Sequence, residues 1–181
     1  MSHAGWGFGH QRPRGWVMSA LVVACLALPA GIAAQQSPCS GEMNRQFDFW
    51  IGSWDVTTVA NGQVAGTNDI TRILGGCVLH ESYETPTGYV GQSFNAYDAQ
   101  TGRWHQTWVD NGGLVLKLDG GLVDGKMVLS GPGKDGQGND IVNRITWTPH
   151  EDGSVQQTWD VSSDGGENWT NAFDGMYRKR P

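Results

Sequence analysis

Residues 47–56 read FDFWIGSWDV. Three bulky aromatics, Phe47, Phe49 and Trp50, precede Gly52-Ser53-Trp54 and a run made of β-forming residue types. Such a cluster is either a working site or the closure of a fold, and the rest of the chain decides for closure. Gly occurs 27 times and recurs with Asn, Asp and Pro at short intervals. The turn signals are Asn61-Gly62, Gly75-Gly76, TPTG at 85–88, DAQTG at 98–102, DNGG at 110–113, Asp124-Gly125, GPGKDGQGND at 131–140, HEDG at 150–153 and SSDGGEN at 162–168. Between them lie about ten runs rich in Val, Ile, Thr and aromatics. The one helical signal is a short turn at 40–47, SGEMNRQF, where Ser40 is placed to cap. Strands in sequence, with almost nothing else to cover a sheet face, predict an all-β antiparallel up-and-down barrel, because closure removes exposed edges. A two-sheet sandwich is the alternative.

In such a barrel residues alternate between interior and solvent, so parity selects the candidate site residues. The triplet Gln-Thr-Trp occurs twice, in HQTWVD at 105–110 and in QQTWDV at 156–161. In the second copy Gln157, Trp159 and Val161 share the face that looks interior; by analogy Gln106 and Trp108 point inward and His105 and Thr107 outward. The other expected inward sets are Leu79, Glu81 and Tyr83; Leu114, Leu116 and Leu118; Ile145 and Trp147; and Trp169, Phe173 and Tyr177. A bulge within a strand flips its assignment. Most of these positions are apolar wall. Glu81, Tyr83, Gln106, Trp108, Gln157 and Trp159 form a mixed polar and aromatic set, and a buried polar group must be satisfied by a partner. That lining suits a pocket for a small amphipathic or aromatic ligand, or else an internal polar network holding ordered water.

The first 34 residues read as an export signal: Arg12 and Arg14 precede the apolar run WVMSALVVACLAL, then Pro29 and AGIAA. Cleavage is expected after Ala33 or Ala34, with lipidation at Cys25 as the weaker alternative. Residues 35–181 are then one exported, periplasmic or secreted domain, without a transmembrane helix. That part carries 10 basic and 18 acidic residues, which argues against nucleic acid as a partner. Cys39 and Cys77 remain in it, and an oxidising compartment permits a disulfide; two separate buried thiols are the other possibility. Oligomeric state has no signal.

No metal or other cofactor is expected. His80 and His105 have outward parity and His150 lies in a turn, whereas haem and zinc sites depend on His, Cys or clustered carboxylates. A Gly-x-Ser-x-Gly elbow is absent, and the Gly-rich loop at 131–138 lacks the ending of a phosphate cradle. The same loop offers Asp135, Asn139 and Asp140 as oxygen ligands but lacks the EF-hand spacing. Glu81 is the one candidate general acid or base, since desolvation beside Trp108 would raise its pKa. Residues 162–169, SSDGGENW, match a single Asp box of the type repeated in sialidase propellers; its Ser and Asp can satisfy turn amides while the Trp packs beneath.

Gly52-Ser53-Trp54 resembles the Gly-x-Trp signature of the calycins, the superfamily of lipocalins and fatty-acid-binding proteins. That resemblance implies a barrel whose end is closed by Trp54, with Arg178 of DGMYRKR packed across the indole. ILGGCVLHESYE, GQSFNAYDAQTGRWHQTWVD, GKMVLSG and RITWTPHEDGSVQQTW are similar to bacterial calycin-like proteins of unassigned function, many carrying export signals. A more distant resemblance is to the haem-binding nitrobindin barrels, whose iron ligand is a His without an inward counterpart here. The expectation is a small-molecule-binding barrel. The alternatives are a cofactor-free enzyme using Glu81, and a structural or envelope-associated barrel filled by its own tryptophans.

Overall fold

The computed structural model describes Met1 and residues 38–181; the expected export signal lies outside the described residues but for Met1. Ten strands follow one another: β1 (Gly52–Thr58), β2 (Val64–Ile73), β3 (Val78–Glu84), β4 (Val90–Asp98), β5 (Arg103–Asp110), β6 (Val115–Val123), β7 (Lys126–Lys134), β8 (Asp140–Pro149), β9 (Val155–Ser162) and β10 (Thr170–Lys179). Each pairs antiparallel with the next, and β1 pairs with β10, so the sheet is a closed up-and-down barrel rather than a sandwich. Among the described residues closure leaves no unpaired strand edge, which is how residues with so little helix satisfy their backbone.

One end is plugged by the segment before β1. It carries 3-10 turns at Glu42–Arg45 and Asp48–Trp50. Phe47 and Trp50 are fully buried and stacked at 4.9 Å, and Phe47 meets the edges of Trp104 at 5.7 Å and Trp147 at 5.0 Å. Trp54 Nε1 donates to the Trp50 carbonyl at 2.9 Å, tying the first strand to the plug. Asp48 pairs with both Arg45 and Arg72, and Arg72 also donates to the Gly76 carbonyl at 2.6 Å. A disulfide between Cys39 and Cys77 anchors the segment to the start of β3. The opening cluster FDFWIGSWDV is therefore the stopper of the barrel.

Four local expectations are corrected. Ser40 does not cap the first turn; Gly41 is its N-terminal flanking residue and no side chain bonds there. Leu114 precedes β6 and is exposed, its N–H bonded to Asp110 Oδ1 at 3.1 Å, because the strand begins one residue later than the apolar run. Trp169 does not face inward. The register of β10 on β9 shifts between Asn171 and Phe173, and this extra residue reverses the parity upstream of it, so Trp169 lies under the Arg144 guanidinium, 3.8 Å from its ring centre. Arg178 does not cross Trp54 either. It pairs opposite Asp55 and is exposed, whereas Lys179, opposite Trp54 in register, places Nζ 5.4 Å from the indole.

The Asp box is structural, as its residues indicate. Ser162 Oγ donates to Asp164 Oδ1 at 2.7 Å, Asp164 accepts the amides of Glu167 and Asn168, and Trp169 Nε1 donates to the Gly166 carbonyl at 2.9 Å. The expected loop at 131–140 is shorter, since 131–134 belong to β7 and Asp140 to β8; in the turn between them Asp135 accepts the amides of Gln137 and Asn139, so its carboxylate is engaged in closing the hairpin.

Candidate functional site

The barrel end opposite the plug holds a cavity of about 310 Å³. Strand direction determines what lines it. The finishing ends of β3 and β5 bring Tyr83 and Trp108, Thr85 follows directly after β3, the finishing part of β9 brings Trp159, and the start of β10 brings Ala172 and Phe173. Tyr89, in the turn before β4, completes the mouth. Deeper, Glu81, Gln106, Leu116, Ile145, Gln157 and Tyr177 form the floor. All six residues selected by parity, Glu81, Tyr83, Gln106, Trp108, Gln157 and Trp159, stand together around this one space. The second Gln-Thr-Trp copy reports correctly on the first because Gln157 and Trp159 pair with Trp147 and Ile145 of β8 while Gln106 and Trp108 pair with Leu118 and Leu116 of β6, each an inward apolar partner.

The aromatics of the mouth sit over glycines. A Cβ on Gly91 would lie 2.0 Å from the Trp108 ring, and one on Gly66 would lie 2.9 Å from Tyr83. The missing side chains let these rings lie against the wall and leave the centre open. Their polar ends are anchored: Tyr83 OH donates to the Ala65 carbonyl at 2.9 Å, Trp159 Nε1 to Asn143 Oδ1 at 3.0 Å, and Trp108 Nε1 to Asp110 Oδ2 at 3.2 Å. Asp110 also accepts from Tyr89 OH at 2.7 Å. Desolvation opposes its ionisation, but these bonds and those from the Leu114 and Gly112 amides outweigh it and hold its pKa below the usual carboxylate value.

The floor is a hydrogen-bonded band spanning six strands. Asn68 Nδ2 donates to Glu81 Oε1 at 2.7 Å and Ser93 Oγ to Glu81 Oε2 at 2.5 Å. Ser93 Oγ accepts from Asn95 Nδ2 at 2.8 Å and from Gln106 Nε2 at 3.4 Å, and Gln106 also donates to Asn95 Oδ1 at 2.9 Å. On the other flank Asn68 Nδ2 reaches Tyr177 OH at 3.5 Å, and Tyr177 donates to Gln157 Oε1 at 2.5 Å.

Glu81 is 3% exposed, and among the described residues no cation is paired with it. Desolvation raises its pKa to about 7, against the opposing bonds from Ser93 and Asn68 and the field of His80. Burial and the nearby Glu81 carboxylate also push Tyr83 and Tyr177 above the ordinary phenol value. Gln106 Oε1 and Asn68 Oδ1 are buried acceptors without a partner among the described residues. The floor thus offers a carboxylate and an open carbonyl inside an aromatic chamber. No protein-family model and no curated protein matches the chain. The chemistry of the site therefore rests on its geometry.

Parity did not reach Asn68, Ser93 and Asn95, which build the band. On β4 the inward residues are Gly91, Ser93 and Asn95, while Phe94 is 51% exposed. Hydrophobicity alone orients that strand the wrong way round. The signal that does find it is the register to β3, which sets Ser93 opposite Glu81. The histidines stand on the outer wall: His80 bonds Gln92 at 3.0 Å and stacks on Phe94, and His105 bonds Asp119 at 2.8 Å and Thr107 at 2.9 Å. Among the described residues no group of three or more His, Cys, Asp or Glu is placed to hold a metal ion.

Proposed function

We propose that this chain is an exported barrel of the calycin type that binds a small, partly apolar molecule in its open end. The observation that carries the reading is the cavity itself. Its volume of about 310 Å³ falls in the range of small-molecule sites, and its lining of aromatic walls with a few convergent polar groups is their usual composition. A filled structural barrel would have no need of glycines under Trp108 and Tyr83 to keep the centre clear. Export agrees with the apolar run behind Arg12 and Arg14 and with the disulfide.

The test is a ligand-observed NMR screen of small aromatic compounds against the wild type and the Trp108→Ala/Trp159→Ala variant. Binding to the wild type that vanishes in the variant supports the placement. Undiminished binding in the variant, or an empty screen, contradicts it.

A second reading has its own support. A buried carboxyl with a pKa of about 7 is matched to proton transfer near neutral pH, which suits an enzyme using Glu81 as general acid or base. Once a ligand is in hand, turnover by the wild type that Glu81→Gln abolishes supports the enzyme, and a ligand that the wild type leaves unchanged after prolonged incubation supports the carrier.

A further inference from the structure

The ionic character of the ligand is readable from what the cavity contains and lacks. Glu81 is the one charged side chain among the described lining residues; no Lys, Arg or His lines the space. Its two oxygens accept one hydrogen bond each, from Asn68 and Ser93. The Ser93 hydroxyl, already accepting from Asn95 and Gln106, has its single proton committed to Glu81. The network therefore presents the carboxylate as an acceptor, and the remaining acceptor capacity of Glu81 borders the cavity. Gln106 also lines the cavity, and its buried Oε1 has no partner among the described residues. A ligand that satisfies these two acceptors brings hydrogen-bond donors. The walls around it are the rings of Tyr83, Trp108, Trp159 and Phe173, whose faces attract cations. The rim adds the Asp110 carboxylate, held between Tyr89 and Trp108, and the 18 acidic residues against 10 basic ones from residue 35 onward favour approach of a positive charge.

We propose that the cavity receives a small amine, its ammonium group paired with Glu81 and bonded to Gln106 Oε1, and its apolar body held between Trp108 and Trp159. This rests on the small-molecule-binding reading and names its ligand class. An ammonium supplies three donors to the carboxylate and to the open Gln106 amide oxygen, and neutralises a buried charge that has no cationic partner among the described residues. A neutral ligand of the same shape leaves that charge uncompensated. An anion meets Glu81 and Asp110 with like charge.

Binding of an ammonium requires the Glu81 carboxylate, so affinity is linked to its ionisation. The titratable groups around it are Tyr83 on its own strand and Tyr177 on β10, both pushed above the phenol range, and His80 on the outer face, whose positive field favours the carboxylate. Asn68, Ser93 and Gln106, on β2, β4 and β5, do not titrate. Since burial raises Glu81 to about 7, affinity for an amine rises as pH rises through that value.

The experiment is calorimetric titration of the purified protein with 2-phenylethylamine, 2-phenylethanol and phenylacetate, which share one ring and differ in charge. At about pH 8 the amine is expected to bind at least about tenfold tighter than the alcohol, with phenylacetate weakest. Lowering the pH to about 5.5 should weaken the amine at least about tenfold and leave the alcohol unchanged. Glu81→Gln should erase the preference for the amine while retaining the alcohol; if that variant does not fold, the wild-type pH profile carries the same decision. An alcohol that binds as tightly as the amine overturns the amine assignment and leaves the cavity a binding site. Failure of all three at millimolar concentration overturns both readings.

Discussion

Ser93 Oγ lies 2.5 Å from Glu81 Oε2 and donates its only proton to it. The bond links β4 to β3 at the floor of the cavity and is the strongest influence opposing the desolvation of the Glu81 carboxyl. Ser93→Ala removes the donor without adding bulk. It should raise the Glu81 pKa further above about 7, measured by carbon-detected NMR titration of the side-chain carboxyl. An unchanged or lower value would show that Ser93 does not tune it.

Stability should carry the sign of that same shift. Below the ordinary carboxyl value of 4.5 Glu81 is protonated folded and unfolded; between 4.5 and about 7 the folded state holds the proton more tightly. The native chain binds more protons in that window, so the Glu81 contribution is full below 4.5 and is lost as pH rises to about 7. At 1.36 kcal/mol per unit the loss is about 3 kcal/mol. Denaturant unfolding of wild type and Glu81→Gln across this range isolates it from the surface carboxylates. The difference between the two should change steadily up to about 7 and then level off; parallel curves would refute the assignment.

Gly91 has no room for a side chain, since its Cβ would meet the Trp108 ring at 2.0 Å. Gly91→Ala should push Trp108 into the cavity and cost about 1–3 kcal/mol as an overpacked site. Both effects are measurable, the first by the shift of the Trp108 indole proton and the second by thermal unfolding. A variant with wild-type stability and an unmoved indole would mean that the ring does not lie against the wall.

The disulfide spans 38 residues, from the plug to the start of β3. By loop-closure entropy, replacing Cys39 and Cys77 with Ser should cost about 4 kcal/mol. It should also loosen the plug, where Phe47 and Trp50 pack on Trp104 and Trp147. Equilibrium unfolding with and without reductant measures the first effect. Equal stability in the two conditions would mean that the disulfide does not anchor the plug.

The legibility of the barrel has a simple physical origin. Hairpin turns need Gly, Asn and Asp for positive φ, and Gly62, Gly88, Gly102, Gly125 and Gly153 all adopt it. Punctuation of that kind survives in the sequence. Parity is legible wherever a strand keeps its register, and so it finds Glu81, Gln106 and Gln157 with their aromatic neighbours. It fails at Trp169, where one extra residue in β10 reverses the alternation and nothing in the local sequence announces the bulge. It fails differently on β4, whose large residue Phe94 faces solvent because the inward side must leave space for Trp108 and supply donors to Glu81. The cation over Trp54 is displaced by one position, from Arg178 to Lys179, because β1–β10 register and not residue type places it.

Entry of a ligand at the open end is best followed on the indole protons of the seven tryptophans beyond residue 34 while aromatic compounds are added. Trp108 and Trp159 line the cavity, whereas Trp50, Trp54, Trp104 and Trp147 are buried at and beside the plug. Ligand entry at the open end predicts that the Trp108 and Trp159 signals move together and saturate while the signals at the plug stay fixed. Movement confined to the plug tryptophans, or no movement with any compound, would contradict it.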